Sequence, residues 1–255
     1  MSTSTVEVPQ VCLGRKAIIT DSRTLKMATY IGPELPAPPA VVDWTNGQTT
    51  EWGMMLNDRL GCCTIAGCAH AIQLWSKNVG QQITVPDSAV LSMYEQWDGY
   101  NPAIPSSDEG GIELNVLNSW KKQGFVGHNL LAFASINIQN VLEIQQCINL
   151  FGGLYIGISL PLTAQHQDVW DVDLSDPYAS QPGSWGGHCV FISGYDKNGI
   201  SCITWGSVKK MTVAFFLKYC DEAYALIGQD FFNTQGVDVE GFNSSQLLAD
   251  LSQIR

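Results

Sequence analysis

The chain has 255 residues, a net charge of −11 and 45% apolar residues, with a pI near 4.6, so it reads as a globular protein with a substantial core. The acidic balance excludes binding along a phosphate backbone, because basic residues appear only in short pairs such as Lys121-Lys122 and Lys209-Lys210. No run reaches the roughly 18 consecutive apolar residues of a membrane span, and Met1 to Gln10 shows no secretory signal pattern. Nucleic acid and membrane are therefore not expected partners. Most of the eight cysteines lie in apolar runs, as buried free thiols do, which points to a reducing, cytoplasmic setting.

In chain order, residues 1–40 read as an extended N-terminal arm ending in the proline-rich Gly32 to Pro39. A globular domain follows over 41–235, and then a tail over 236–255 carrying a short amphipathic helix near Leu247 to Leu251. Within the domain, Thr64 to Trp75 is an apolar, alanine-rich, proline-free stretch that reads as a buried helix. Pro86-Asp87-Ser88 starts a second helix through Leu91, Tyr94 and Trp97, and Ile112 to Gln123 a third, after the loop from Asn101 to Gly111. Asn140 to Leu150 forms one more helix, stopped by Gly152-Gly153. Then the pattern turns to strands: Leu154 to Leu160, Cys189 to Ser193, Ile200 to Trp205, Met211 to Phe216 and Ala223 to Ile227. Asp196-Lys197-Asn198-Gly199 is a hairpin turn. Helices first and mainly strands afterwards define an α+β pattern.

The chemistry-bearing residues are few. Cys63 follows the Gly61 turn at a helix start, where the helix dipole favours a thiolate. Asn57 lies six residues earlier and offers an amide for an oxyanion, while His188 lies far downstream on an apolar segment and offers a base. A cysteine nucleophile with these companions suggests acyl transfer. The bland alternatives are a buried inert cysteine, a structural histidine and a loop-capping amide. Cys62 reads as a neighbour facing away. Cys62, Cys63, His188 and Cys189 do not fit the usual Cys-x₂₋₄-Cys metal spacing, so no metal is expected.

These residues resemble the papain-like cysteine peptidases. Val42-Asp43-Trp44 resembles the segment that opens the mature domain of that superfamily, and Asn57 takes the place of its oxyanion-hole Gln. Gly61-Cys62-Cys63-Thr64 takes the place of the end of its cysteine signature. Gly110-Gly111 resembles its cleft-lining glycine pair, Gly187 to Tyr195 its histidine strand, and Trp205-Gly206 its Trp-Gly. The resemblance covers about residues 41–230 and looks closest to a bacterial branch of the superfamily.

The resemblance implies an N-terminal helical lobe and a β-barrel-like C-terminal lobe with the active site between them. It implies Cys63, His188 and Asn57 as catalytic residues, and Gly110, Gly111, Gly187 and Trp205 as substrate-binding residues. It implies no cofactor, and a peptide or small acyl or amide substrate. Three departures stand out. Thr64 replaces the usual aromatic, Leu60 replaces a disulfide cysteine, and the Asn that orients the histidine, two residues before the tryptophan, falls on Ile203. Thr204 and Asp168 are the candidates to orient His188 instead. The arm before Asp43 is shorter than the inhibitory prosegments of the secreted relatives. A catalytically weak binding or assembly protein, and a thiol enzyme of non-hydrolytic biosynthetic chemistry, are the competing readings.

Overall fold

Helix α1, Cys63–Asn78, is the axis of the molecule, and the computed structural model, which describes residues 11–229, 231 and 242–253, buries it on every side from Cys63 to Ser76. A helix apolar all round belongs inside a core, and the run Ile65-Ala66-Gly67-Cys68-Ala69 has no polar face to give to water. Two further helices pack beside it. Helix α2, Asp87–Asp98, follows Pro86 and ends at Gly99, whose left-handed φ of 78° lets the chain leave the helix. Helix α3 spans Glu113–Gln123. Val141–Phe151 is α4, started by Asn140, whose side chain accepts from the Glu143 N–H at 3.3 Å.

Among the described residues the strands are β1 Val42–Asp43, β2 Leu130–Ser135, β3 Leu154–Leu160 and β4 Val169–Trp170, followed by β5 Gly186–Asp196, β6 Gly199–Thr204, β7 Ser207–Met211 and β8 Cys220–Gly228. They form one sheet in the order β2-β8-β3-β5-β6-β7-β4, with β1 added to β5. The α+β class holds, but the barrel-like lobe does not: β2 and β4 end the order without pairing to each other, so the sheet is open. β5 and β6 turn over Lys197-Asn198, with Asp196 opposite Gly199.

The sheet is buried on both faces, and the strand period of two divides its side chains between them. On β5, Cys189 and Phe191 join the apolar cluster of α1–α3, whereas Val190 and Ile192 join the cluster of α4 and the short helix α5, Val213–Tyr219. Helix α5 corrects the expected strand from Met211 to Phe216. β7 stops at Met211, and the Thr212 hydroxyl accepts from the Phe215 N–H at 3.1 Å, which starts a helix. A short apolar run such as Val213 to Leu217 fits either element by periodicity, and the cap decides. The tail helix α6, Ser244–Gln253, forms as expected, while residues 232–241 and the expected reading of Met1 to Gln10 lie outside the described residues.

Candidate active site

Cys63 is the first residue of α1, with Cys62 as a cap that makes no side-chain hydrogen bond to the helix end. The first-turn N–H groups therefore keep their partial positive charge beside the sulfur. Cys62 points away, its thiol donating to the Met55 carbonyl at 3.3 Å. The cysteines are all free thiols. Opposite Cys63 runs β5, and the Cys189 N–H donates to Cys63 Sγ at 3.4 Å. His188 is the residue before it on β5, one position along the strand from the contact with the sulfur.

Thr204 ends β6 and hydrogen-bonds His188 Nε2 through Oγ1 at 2.7 Å. Ile203 instead pairs with Phe191 and is fully buried in the core on the α1 side, so the expected position carries packing and its neighbour carries the hydroxyl. Asp168 is exposed, and its charge acts on Lys209, so it does not orient the buried imidazole. Trp205 lies flat on the His188 ring, with centroids 4.4 Å apart and planes within 14°, and Trp185 and Trp170 back it at 5.8 and 6.0 Å. Trp205 thus walls the imidazole. Nδ1 of His188 is buried and makes no hydrogen bond among the described residues.

The loop that leads into Cys63 is held by polar ties. Asp108 accepts from the Gly61 N–H at 2.9 Å and from the Tyr94 hydroxyl at 2.6 Å, and that hydroxyl accepts from the Gly110 N–H at 2.9 Å. Asn57 is buried and donates both to the Leu60 carbonyl at 3.0 Å and to the Cys12 carbonyl at 3.1 Å. It combines the loop-capping role with a hold on a carbonyl oxygen of another segment.

That segment is the N-terminal arm, and its position is the main finding that the sequence did not announce. Residues 12–16 run as an extended peptide across the cleft. The Cys12 N–H donates to the Asn57 carbonyl at 2.9 Å. On one wall the Gly111 N–H donates to the Gly14 carbonyl and the Lys16 N–H to the Gly111 carbonyl, each at 2.8 Å. On the other wall the Arg15 N–H donates to the Gly187 carbonyl at 3.0 Å. The Gly14 backbone N–H lies close enough to Cys63 Sγ to favour its thiolate form. Gly14 admits this approach because a Cβ there would overlap the Gly61 carbonyl. Gly110, Gly111 and Gly187 thus border the cleft, and the substrate-like occupant is the chain's own arm.

Under this strap Cys63 and His188 are both fully buried. Burial, eased somewhat by the Cys189 N–H, pushes the Cys63 thiol up to about 12. Burial, with a smaller contribution from His70, pulls His188 down to about 3. The pair is therefore neutral thiol and neutral imidazole while the strap is seated.

Arg15 projects from the strap into a pocket of three carboxylates. Its guanidinium donates twice to Asp221, at 3.1 and 2.5 Å, and twice to Glu222 Oε1, at 3.0 and 2.6 Å, and Glu113 Oε1 lies 3.2 Å from Nε. None of these four residues was singled out from the sequence. The available signal was Gly14-Arg15-Lys16, a basic pair in the arm of a strongly acidic chain.

This architecture is the papain-like fold of the cysteine proteases. No protein-family model matches the sequence, and no curated protein matches it, but solved structures do. The chain is similar to xylellain, a cysteine protease from Xylella fastidiosa, with a TM-score of 0.64 at 15% identity over 86% of this chain and 96% of that one. It is also similar to digestive procathepsin L 3 of Tenebrio molitor, with a TM-score of 0.56 at 12% identity over 86% and 76%. Procathepsin B S9 from Trypanosoma congolense gives 0.56 at 11% identity over 86% and 87%. Among the described residues no helix is long and apolar enough to cross a membrane.

Proposed function

We propose that this chain is a papain-type cysteine hydrolase or acyl transferase, held shut in the described state by its own residues 12–16. One observation carries the reading: an extended segment is paired to Gly111 on one side and Gly187 on the other, with Gly14 packed on Gly61 two residues before Cys63, so the cleft takes peptide backbone beside the candidate nucleophile. With the strap lifted, water and substrate reach the pair, and the desolvation that keeps both groups neutral falls away. Cys63 then gives its proton to His188 and its thiolate attacks an amide or ester carbonyl, while Asn57 Nδ2 and the first-turn N–H of Cys63 stabilise the oxyanion. His188 protonates the leaving group and activates the acceptor for deacylation, with Thr204 fixing its ring through Nε2. The substrate range is narrow, because the strap must be displaced before anything else can bind.

The test is the alkylation rate of Cys63 against pH, read by peptide mass spectrometry. In the wild type the rate is low and still rising above pH 9, as expected for a thiol pushed up to about 12. Gly14→Ala unseats the strap and gives fast alkylation persisting below pH 7, and adding His188→Ala removes that acid limb. No acceleration in Gly14→Ala, or an acid limb that survives His188→Ala, overturns the reading. A second reading, a papain-like fold used for binding or assembly, is favoured by the complete burial of Cys63 and His188 and would be left in front by that result.

A further inference from the structure

Removing Arg15 from its pocket leaves three carboxylates facing one another with no cation. Glu113 is fully buried, its Oε1 faces the guanidinium at 3.2 Å, and among the described residues it has no strong hydrogen-bond partner besides that ion pair. Glu222 is almost as buried and is held by the Tyr224 hydroxyl at 2.9 Å on Oε2, which leaves Oε1 aimed into the pocket. Asp221 is fixed by the Ser159 hydroxyl at 2.7 Å on Oδ2 and presents both oxygens to the guanidinium edge. Such a cluster is unfavourable when empty and strongly prefers a cation. Its floor is Gly157, where a Cβ would occupy the position of Arg15 Nε, so the pocket is shaped to a flat group. It opens off the cleft, since Arg15 enters it from a backbone that pairs with Gly187 on one wall while its neighbours Gly14 and Lys16 pair with Gly111 on the other.

The same pocket is open to a wider space. Asp221, Glu222 and Tyr224 also line a cavity of about 510 Å³ beneath the arm residues Ile18, Thr20 and Lys26. A side chain entering from the cleft therefore meets two buried carboxylates and one, Asp221, that is about a third exposed and faces this cavity. Backbone of the strap pairs with Gly111 on either side of Arg15, so a substrate paired there would direct the corresponding side chain to the same place.

We propose that the pocket formed by Glu113, Asp221 and Glu222 selects an arginine side chain in the substrate, and that Arg15 of the strap occupies it as an internal competitor. This rests on the hydrolase reading above. The bidentate Asp221 contact and the shared Glu222 oxygen match a planar fork of N–H donors, so arginine is preferred over lysine, which offers a point charge. Citrulline, the neutral isostere of arginine, keeps the shape and loses the charge.

The experiment uses the full chain carrying Arg15→Ala, and reads binding and turnover separately. Ethylguanidinium raises its thermal midpoint in a saturable way, N-ethylurea does not, and adding Glu222→Gln to the variant abolishes the shift. Fluorogenic peptide amides scanned by position then show, at one position, a preference for arginine over citrulline of about tenfold to a hundredfold in kcat/KM, with lysine between them. Glu222→Gln brings that ratio towards one. Peptide amides turned over with no arginine preference, or no ethylguanidinium shift in folded protein, overturn the pocket assignment and leave the hydrolase reading intact. A guanidinium shift with no turnover of any amide and no acid limb in Cys63 alkylation overturns the hydrolase reading, and the substrate assignment falls with it. Should Arg15→Ala fail to fold, Gly14→Ala, which keeps the arginine on an unseated strap, carries the same arginine, lysine and citrulline comparison.

Discussion

The two halves of the candidate site are held by different physics. On the Cys63 side, positions are set by directional polar ties: Asp108 on Gly61 and Tyr94, Tyr94 on Gly110, and Asn57 on Leu60. On the histidine side, His188 has one polar ring contact, Thr204, and is otherwise set by flat stacking on Trp205 backed by Trp170 and Trp185. Hydrogen bonds fix a loop that has no regular structure to fix it, whereas a strand already fixes His188 and needs only its ring plane set. The strap joins the two halves, since Lys16 and Gly14 bond the Gly111 wall and Arg15 bonds the Gly187 wall. Its Arg15 side chain also ties Glu113 of α3 to Asp221 and Glu222 of β8.

Breaking the bridge has the largest expected effect. Arg15→Ala leaves buried carboxylates without their cation and costs about 3 kcal/mol near neutral pH, the low end for a broken buried pair because Asp221 is about a third exposed. The pH dependence has a definite sign. Burial, and for Glu113 also the neighbouring Glu222, raises both carboxyl groups above 4.5, and Arg15 opposes this. A carboxyl raised on folding destabilises as pH climbs through its folded value, and loss of Arg15 raises both further. The deficit in thermal midpoint of Arg15→Ala is therefore larger at about pH 7.5 than at about pH 5. An equal deficit at both would show that Arg15 acts by packing alone.

The histidine half is tested at its single polar contact. Thr204→Val costs about 1–3 kcal/mol, because a buried ring nitrogen loses its partner. In strap-released protein it lowers turnover by at least about tenfold, within the ~10⁴ ceiling for a corrupted histidine orienter. It also displaces the acid limb of the Cys63 alkylation profile, and Thr204→Ser restores both. A Val variant with unchanged profile would mean that stacking on Trp205 suffices to hold the ring.

On the nucleophile half, Asp108→Ala loosens the Gly61 loop and costs about 1–2 kcal/mol in urea unfolding. It speeds alkylation of Cys63 without shifting its pH profile, since Asp108 holds Gly61 and Tyr94 and bonds neither Cys63 nor His188. The smallest effect belongs to Asp168→Ala, which leaves stability within about 0.5 kcal/mol and the His188-dependent profile unchanged. A displaced profile there would restore Asp168 as an orienter and contradict the assignment of Thr204.

Much of the architecture was legible in the residues because it depends on local rules. The all-apolar stretch after Cys63 can only be a buried helix, and Asp196 to Gly199 can only turn a hairpin well. Asn140 caps α4 within a residue of its expected start. The misread elements were those where two local rules compete, as at Val213 to Leu217, or where closure of a sheet is a property of strands far apart in sequence. Spacing also misdirected the search for the histidine's partner: counting back from Trp205 reaches Ile203, but the alternation of β6 turns that side chain into the core and leaves Thr204 beside the ring.

By itself, then, the sequence determined the order of helices and strands, the position of Cys63 at a helix start and the presence of His188 on an apolar strand. These follow from periodicity, capping and turn chemistry within a few residues. Only the tertiary structure decided that residues 12–16 lie over the sulfur, that Arg15 meets Glu113, Asp221 and Glu222, and that the sheet stays open. Arg15 and Glu222 are 207 positions apart, and no local preference of either residue encodes their meeting. What brings them together is the cost of burying an unpaired charge, which is settled only when the whole core has formed.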